Sequence, residues 1–412
     1  MNAVFKEYDT ISKDKIGERN FNELLQFAKT YIANEESDNI MKFIQICYDS
    51  SGAFIRTQNY VGLIQLPSGF QIEILPKIYG IDNEYDIREV VIKMLRSLPE
   101  FQGNKLGRAN LNTSKMTLYE VFISLYLKDV LSLVKRGLKS SYITFEDNLR
   151  FLKGKLLFNQ HIRHNIAHQE RFYIAFDEYS LNRPEHKLIK AALLKLQHKV
   201  RSIANRQLIY QLLVHFDFAE ASTNYAKDFA AVNIDRQNKY YESVMIWTEI
   251  FLQNKSFTPF AGQTKTQALL FSMHDLFESY IAEQITNHFE NWRVTKQARS
   301  KYLFDTPRAF NLKPDILLEG NNKKIIMDTK WKIINKDVKN YNISANDMYQ
   351  MYVYAKKYGT KEVWLLYPAI DQLSGKIDYF SDDEVTVNIF LINLFKINDS
   401  MTNLLDIVNN GS

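Results

Sequence analysis

The sequence predicts a multidomain α+β chain, on three observations. The first ~115 residues are rich in β-prone runs, the next stretch to about residue 255 is dominated by helical periodicity, and the remainder alternates helices with strands. The expected domains are therefore a strand-rich segment 1–115, a helical middle 116–255 and an α/β domain with a mixed sheet over 256–412. At 412 residues the chain is long enough for several cores.

In the first segment, YVGLIQLPSGFQIEIL (Tyr60–Leu75) sets two β-prone runs around Pro67-Ser68-Gly69, a hairpin signal. Pro76 should close the second strand, because it cannot donate to the ladder. In the middle, LYEVFISLYLKDVLSLVKRG repeats apolar residues every three or four positions and stops at Gly137, a fitting C-cap. PEHKLIKAALLKLQHKVRSIANRQLIYQLLVHF reads as a long helix or a helix pair opened by Pro184. KSFTPFAGQTK (Lys255–Lys265) marks a boundary. Beyond it a helix is expected over roughly Gln267–Phe289, then strands, a helix over Ala345–Tyr358 and a strand at Val363–Pro368.

Composition excludes several classes. The single cysteine, Cys47, rules out an intramolecular disulfide and a Cys-based zinc site, and reads as a small apolar residue. No apolar run approaches the ~20 residues that span a bilayer, and the N-terminus has no signal-sequence pattern. A cytoplasmic protein without a membrane partner is expected. No GxxxxGK[ST] loop is present, so no nucleotide should be bound by this chain alone. His161, His164 and His168 have helical spacing but no acidic or Cys partner nearby, and are read as a polar helix face rather than zinc ligands.

The net charge of +5 is mild, but its distribution is uneven. Residues 296–340 hold eleven Lys/Arg against five Asp/Glu. Such a patch suits a phosphate backbone, although solvated lysines explain it equally well on charge alone. Inside it lies KPDILLEGNNKKIIMDTKWK, Lys313–Lys332. If Asp315–Glu319 and Lys324–Lys330 pair across the loop Gly320-Asn321-Asn322-Lys323, Glu319 faces Lys324 and Asp315 stands opposite Asp328. Alternation then puts Asp315, Asp328 and Lys330 on one face, with Ile316, Leu318, Ile325 and Met327 on the other. A three-residue loop would turn Asp328 away.

Opposed carboxylates weaken a purely structural hairpin. A hard divalent cation removes that conflict, and Lys330 can then orient a water for phosphodiester hydrolysis. Residue frequencies give a Pro-Asp followed by Asp/Glu-x-Lys in roughly one chain in seven of this size, so the spacing alone decides little. Glu278, in LLFSMHDLFESYIAEQI, is a candidate third carboxylate, although an exposed surface acid explains it as well. ISANDMYQMYVYAKKYG opens with a capping box, Ser344 and Asp347, and sets Gln350 and Tyr354 on one helix face.

With these residues in view, the sequence resembles the McrC family, the nuclease subunit of McrBC-type modification-dependent restriction systems. YVGLIQLPSGFQIEILPKI, FLKGKLLFNQHI, FDEYSLNRPEHKLIKAAL, FSMHDLFESYI, KPDILL, MDTKWK and DMYQMYVYA carry the resemblance. Lys153 stands where Arg is usual, and His186-Lys187 replaces an Asn-Arg pair.

The resemblance implies a C-terminal PD-(D/E)xK restriction-endonuclease-like domain. Asp315, Asp328 and Lys330 would form the named motif, Glu278 the upstream acid, and Gln350 with Tyr354 a QxxxY element. Mg²⁺, with Mn²⁺ as a substitute, would be held by Asp315, Asp328, Glu278 and the backbone carbonyl of Thr329. Lys332, Arg308 and Lys313 are the candidate contacts to double-stranded, methylated DNA. The N-terminal part would dock on a hexameric McrB-like AAA+ GTPase and stimulate it, with Pro67, Ser68, Gly69 and Lys77 as candidate contacts and the hairpin directed at the partner's pore. Two alternatives stay open: a non-cleaving GTPase-activating scaffold, and a stand-alone PD-(D/E)xK nuclease.

Overall fold

The structure, a computed structural model, describes residues 2–33, 43–50, 52–78, 83–98, 116–253, 267–320, 322–335, 337–369 and 376–410. Among these are twelve α-helices and eighteen strands in five sheets, a mixed α/β architecture. The chain divides into two compact units, one of residues 1–102, 110–118 and 256–412, the other of 103–109 and 119–255.

The first unit opens with β1 (Asn2–Lys6), β2 (Thr10–Ile11), α1 (Lys13–Ile16) and α2 (Glu18–Ala33). β3 (Ile44–Asp49), β4 (Gly52–Thr57), β5 (Tyr60–Gln65), β6 (Gln71–Leu75) and α3 (Glu84–Ser97) follow. The β5–β6 hairpin forms as expected and β6 stops before Pro76. At its turn Gly69 donates to the Leu66 carbonyl at φ 81°, a conformation glycine adopts without penalty.

The second unit holds α4 (Leu118–Arg136), β7 (Ser141–Leu149), β8 (Lys155–Leu156), α5 (Phe158–Asn165) and β9 (Phe172–Ser180). After them come α6 (Pro184–Gln197), α7 (Ile203–His215), α8 (Tyr225–Ala231) and α9 (Glu242–Gln253). α4 ends at Gly137 and α6/α7 are the expected helix pair. The expectation of a largely helical middle misses the sheet β7-β9-β8. Nine-residue pairing along β7 and β9 supplies the backbone partners there, overriding weak local signals.

The chain returns to the first unit with β10 (Gln267–Ser272), α10 (Met273–His288), β11 (Arg293–Lys296), β12 (Lys301–Asp305) and β13 (Arg308–Leu312). β14 (Ile316–Gly320), β15 (Lys323–Thr329), α11 (Ala345–Tyr358), β16 (Glu362–Pro368), β17 (Lys376–Phe380), β18 (Thr386–Ile392) and α12 (Ile397–Asn410) complete it. The helix expected over Gln267–Phe289 begins only at Met273, capped by the Ser272 side chain. The six residues before it form β10, which pairs antiparallel with β5. A short apolar run such as QALLFS cannot be assigned by periodicity, and tertiary pairing decides it.

This pairing corrects the separation of 1–115 from 256–412: β10 adds residues of the last segment to the sheet β1-β6-β5-β10. Ala268 and Leu270 join Phe5, Phe21, Leu24, Ile64 and Ile72 in one core. Gly62 permits the approach, since a Cβ there would lie 1.9 Å from the Leu269 carbonyl oxygen.

The larger sheet has the order β11-β14-β15-β16-β18-β17 and is mixed: β15, β16 and β18 run parallel, and the flanking pairs antiparallel. Leu317, Ile326, Val363, Leu365, Val387 and Ile389 form one buried face against Met351, Tyr354 and Ala355 of α11. The alternate residues Ile316, Leu318, Ile325, Met327, Trp364 and Leu366 are buried too, where α10 and α12 cover β15 and β18. Residues aligned with Ile326 on β15 therefore point toward α11.

Candidate active site

The β14–β15 register pairs Glu319 with Lys324 and Ile316 with Met327, as expected, and the ladder runs one rung further, to Gly320–Lys323. The next step in the other direction sets Asp315 opposite Asp328. Asn322 in the turn has φ 58°, a left-handed conformation Asn tolerates.

Asp315 ends the approach to β14, its carbonyl accepting the Gln297 N–H at 2.8 Å. Its Oδ2 accepts two bonds from Thr329, from the backbone N–H and from the hydroxyl, both at 2.7 Å. Asp328, 1% exposed, lies 2.7 Å from the Lys330 ammonium. Lys330 also donates to Gln350 Oε1 at 3.1 Å, and Gln350 donates to the Tyr354 hydroxyl at 2.9 Å. The structure thus brings Asp315, Asp328, Lys330, Gln350 and Tyr354 into one continuous set at the end of β15, beneath α11. Glu278 on α10 accepts from Gln297 at 2.9 Å, close enough to the aspartates for its charge to act on them.

The electrostatics are those of crowded, dehydrated acids. Burial, then the charge of Glu278, pushes Asp315 up to about 6 against the donors of Thr329 and the Lys330 charge. Burial and the Asp315 charge push Asp328 up to about 6 despite Lys330. Glu278 is raised by burial and by Asp275 and Asp328. Burial opposes the Lys330 charge, but Asp328, Asp347 and Asp315 outweigh it and raise its pKa. Burial pushes Tyr354 up to about 12, so it stays a neutral phenol.

A divalent cation fits this donor set. Among the described residues no group of three His, Cys, Asp or Glu side chains is placed to hold a metal ion. Mg²⁺ does not need one, because it binds through one or two carboxylates and fills its octahedron with water and phosphate oxygens. Two opposed carboxylates that resist ionisation together, Asp328 buried and Asp315 half-buried, are chemically suited to such an open half-site, with Glu278 nearby.

Other residues are part of the site although their sequence context did not mark them. Asp347, expected only as a capping residue, accepts from Lys332 at 2.7 Å and lies 4.0 Å from the Lys330 ammonium. Lys332, a candidate DNA contact, is thus held in an ion pair. Trp331 packs edge-on against Phe277, the neighbour of Glu278, with ring centroids 5.4 Å apart. Its indole N–H donates to both oxygens of Glu7, at 3.1 and 3.2 Å. No local pattern links residues 7 and 331; they meet only because β1 and β10 share a sheet. Burial pushes Glu7 up to about 7 against donors from Lys77 and Trp331.

The remaining candidates are placed as follows. Arg308 and Lys313 are exposed. Pro67, Ser68 and Gly69 are exposed at the β5–β6 turn, where Ser68 bonds to Glu23 and Asn20 of α2. The Lys77 N–H donates to Glu7 and its ammonium pairs with Asp9. His161 bonds Asn165 and stacks on Phe172, whereas His164 stacks on Tyr173 and His168 pairs with Glu170, so the three share no ligand position. Cys47 is half-buried on β3. Lys153 lies over the Phe176 ring, and His186 is buried between the Leu181 carbonyl and the Tyr241 hydroxyl. No described helix is long and apolar enough to cross a membrane.

A mixed six-stranded sheet carrying an acid-acid-lysine set beneath a flanking helix defines the class: an α/β chain with a charged centre of two aspartates and a lysine. The model of the McrBC 5-methylcytosine restriction system component family matches residues 55–368, and the chain belongs to that family. A refined half-complex from a tetradecameric assembly of Thermococcus gammatolerans McrB AAA+ hexamers with bound McrC contains a chain of similar fold. It is 19% identical with a TM-score of 0.70, covering all of both chains. A cryo-EM structure of the Thermococcus gammatolerans McrBC complex gives 20% identity and a TM-score of 0.50 over 71% of this chain and 89% of that one. At such identities the likeness concerns the fold. No curated protein matches the chain.

Proposed function

We propose that this chain is the Mg²⁺-dependent DNA endonuclease subunit of a McrBC-like restriction complex, with a PD-(D/E)xK domain in its last third. It cuts methylated double-stranded DNA when assembled with a hexameric AAA+ GTPase whose GTP hydrolysis it stimulates. The observation that carries the reading is the set Asp315–Asp328–Lys330, with Lys330 held between Asp328 and Gln350. A scaffold has no use for two crowded carboxylates that repel each other. The partner is supported by family membership and by the McrC-like fold.

In this reading Asp315 and Asp328 hold the cation, with Glu278 and the Thr329 carbonyl as further candidates and Mn²⁺ as a substitute. When bound, a divalent cation there would supply polarisation of the phosphoryl group and a lowered pKa for water. Thr329 fixes the Asp315 carboxylate through two bonds. Lys330, kept charged by Asp328, orients the attacking water and offsets charge developing on the phosphate. Gln350, held by Tyr354, fixes the Lys330 side chain, and Asp347 provides a second counter-charge. Arg308, Lys313 and Lys332 contact phosphates; Pro67, Ser68, Gly69 and Lys77 dock on the partner.

The test is a cleavage assay with the GTPase partner on methylated and unmethylated plasmid. Cleavage of the methylated plasmid that needs GTP and Mg²⁺ and stops with EDTA is expected. GTPase stimulation without any cleavage would favour the scaffold, and degradation of linear DNA by the chain alone a stand-alone nuclease.

A further inference from the structure

Apart from Arg308, proposed above as a phosphate contact, the β12–β13 hairpin has no role in the account so far. It forms a separate two-stranded ribbon, with Asp305 paired to Arg308 at its tip. Its base is fastened: the Tyr358 hydroxyl of α11 donates to the Ala298 and Leu312 carbonyls, and Asn311 bonds across to Arg299 and Lys301. Its outer half carries two large apolar rings in the open, Phe304 at 55% and Phe310 at 71% exposure. The rings touch edge to face, with centroids 6.0 Å apart.

Two features make this pair more than scattered surface hydrophobics. Phe310 has φ 58°, a left-handed conformation that strains a bulky residue, and the register skips its rung opposite Leu303. That strain serves no core, since the ring is in solvent. Secondly, residues 293–313 hold six exposed cations, Arg293, Lys296, Arg299, Lys301, Arg308 and Lys313, against the single acid Asp305. Asp305 is already taken by Lys357 at 3.1 Å, and among the described residues none of the six is in an ion pair.

We propose that the β12–β13 hairpin is a DNA-gripping ribbon that enters the major groove beside the cleavage site. Its cations bind backbone phosphates, and Phe304 with Phe310 rests on base edges. This rests on the nuclease reading above. The groove follows from size: a two-stranded ribbon enters the major groove, about 12 Å wide, but not the minor groove, about 6 Å wide. Reach is sufficient, since Asp315 lies five positions after Phe310, a span of at most about 17 Å. A second copy of the chain is the poorer occupant, because a two-fold contact would set this positive face against itself.

The test uses the full-length chain with Asp328→Asn, so that binding is read without cutting, and a fluorescein-labelled 30-base-pair duplex. Phe304→Ala/Phe310→Ala should weaken binding at least tenfold with the salt dependence unchanged. Lys301→Ala/Arg308→Ala should reduce the slope of log K against log salt by about two. Dimethyl sulfate should show guanine N7 protected by the parent and not by the double-Phe variant. An unchanged Kd, protection of adenine N3 alone, or an altered oligomeric state in ultracentrifugation without a change in Kd would overturn the proposal. Circular dichroism of both variants checks folding. Cleavage by Asp328→Asn in the assembled complex would refute the nuclease reading instead, and the binding result stands apart from it.

Discussion

Replacing Asp328 by Asn should stabilise the metal-free protein while removing its response to Mg²⁺. Asp328 is 1% exposed, and its carboxyl is pushed from 3.8 up to about 6 by burial and the Asp315 charge. Holding it ionised at pH 8 therefore costs about 3 kcal/mol relative to the unfolded chain. The attraction of Lys330 is already counted in that figure. Because the folded value lies above the unfolded one, the protonated form's stability is present below about pH 4 and is lost as pH rises through about 6.

Asn keeps the shape and removes the charge. With some loss from imperfect hydrogen bonding, the gain at pH 8 in EDTA should be about 1–3 kcal/mol, a rise in Tm of roughly 1–5 °C. The gain should shrink toward zero at pH 4. Thermal melts at both pH values, with EDTA or Mg²⁺, provide the assay. Wild type should be stabilised by Mg²⁺ at pH 8 and Asp328→Asn should not. A variant that melts lower than wild type in EDTA at pH 8, or still gains from Mg²⁺, would refute the reasoning.

Other consequences are open to simple measurement. At the proposed metal site protons would compete with the cation for Asp315 and Asp328, so the Mg²⁺-induced rise in Tm of wild type should disappear as pH falls through about 6. Gln350→Ala removes the Lys330 clamp and should slow cleavage by about tenfold or more, with Tm changed by only a few degrees. Gly62→Ala puts a Cβ 1.9 Å from the Leu269 oxygen and should cost at least about 3 kcal/mol, read as loss of cooperative melting or soluble yield. Since Trp331 donates to Glu7, one of the four indole N–H resonances should titrate near pH 7 and stop doing so in Glu7→Gln.

Much of the candidate site was legible in sequence because it is locally encoded. The β14–β15 register follows from loop length, and α11 is bounded by Ser344 and Gly359, a cap and a left-handed stop. These set Asp315, Asp328 and Lys330 on one face of the hairpin and Gln350 with Tyr354 on one face of α11, and the packing of α11 on β15 and β16 then joins the two groups. What was not legible depends on distant pairing. QALLFS becomes a strand only because β5 offers an edge and Gly62 a gap. Glu7 reaches Trp331 only once that sheet exists. The sheet β7-β9-β8 escaped because both strands are short on the regular burial pattern that marks a half-buried strand.

The central claim is that Asp315 and Asp328 make this chain a nuclease. Cleavage of methylated DNA by the complex with its AAA+ GTPase, with wild type against Asp315→Ala and Asp328→Ala, tests it most directly. Both variants should lose cleavage by at least about a thousandfold while stimulating GTP hydrolysis as wild type does. Cutting at an undiminished rate by either variant in the same assembly would contradict the account.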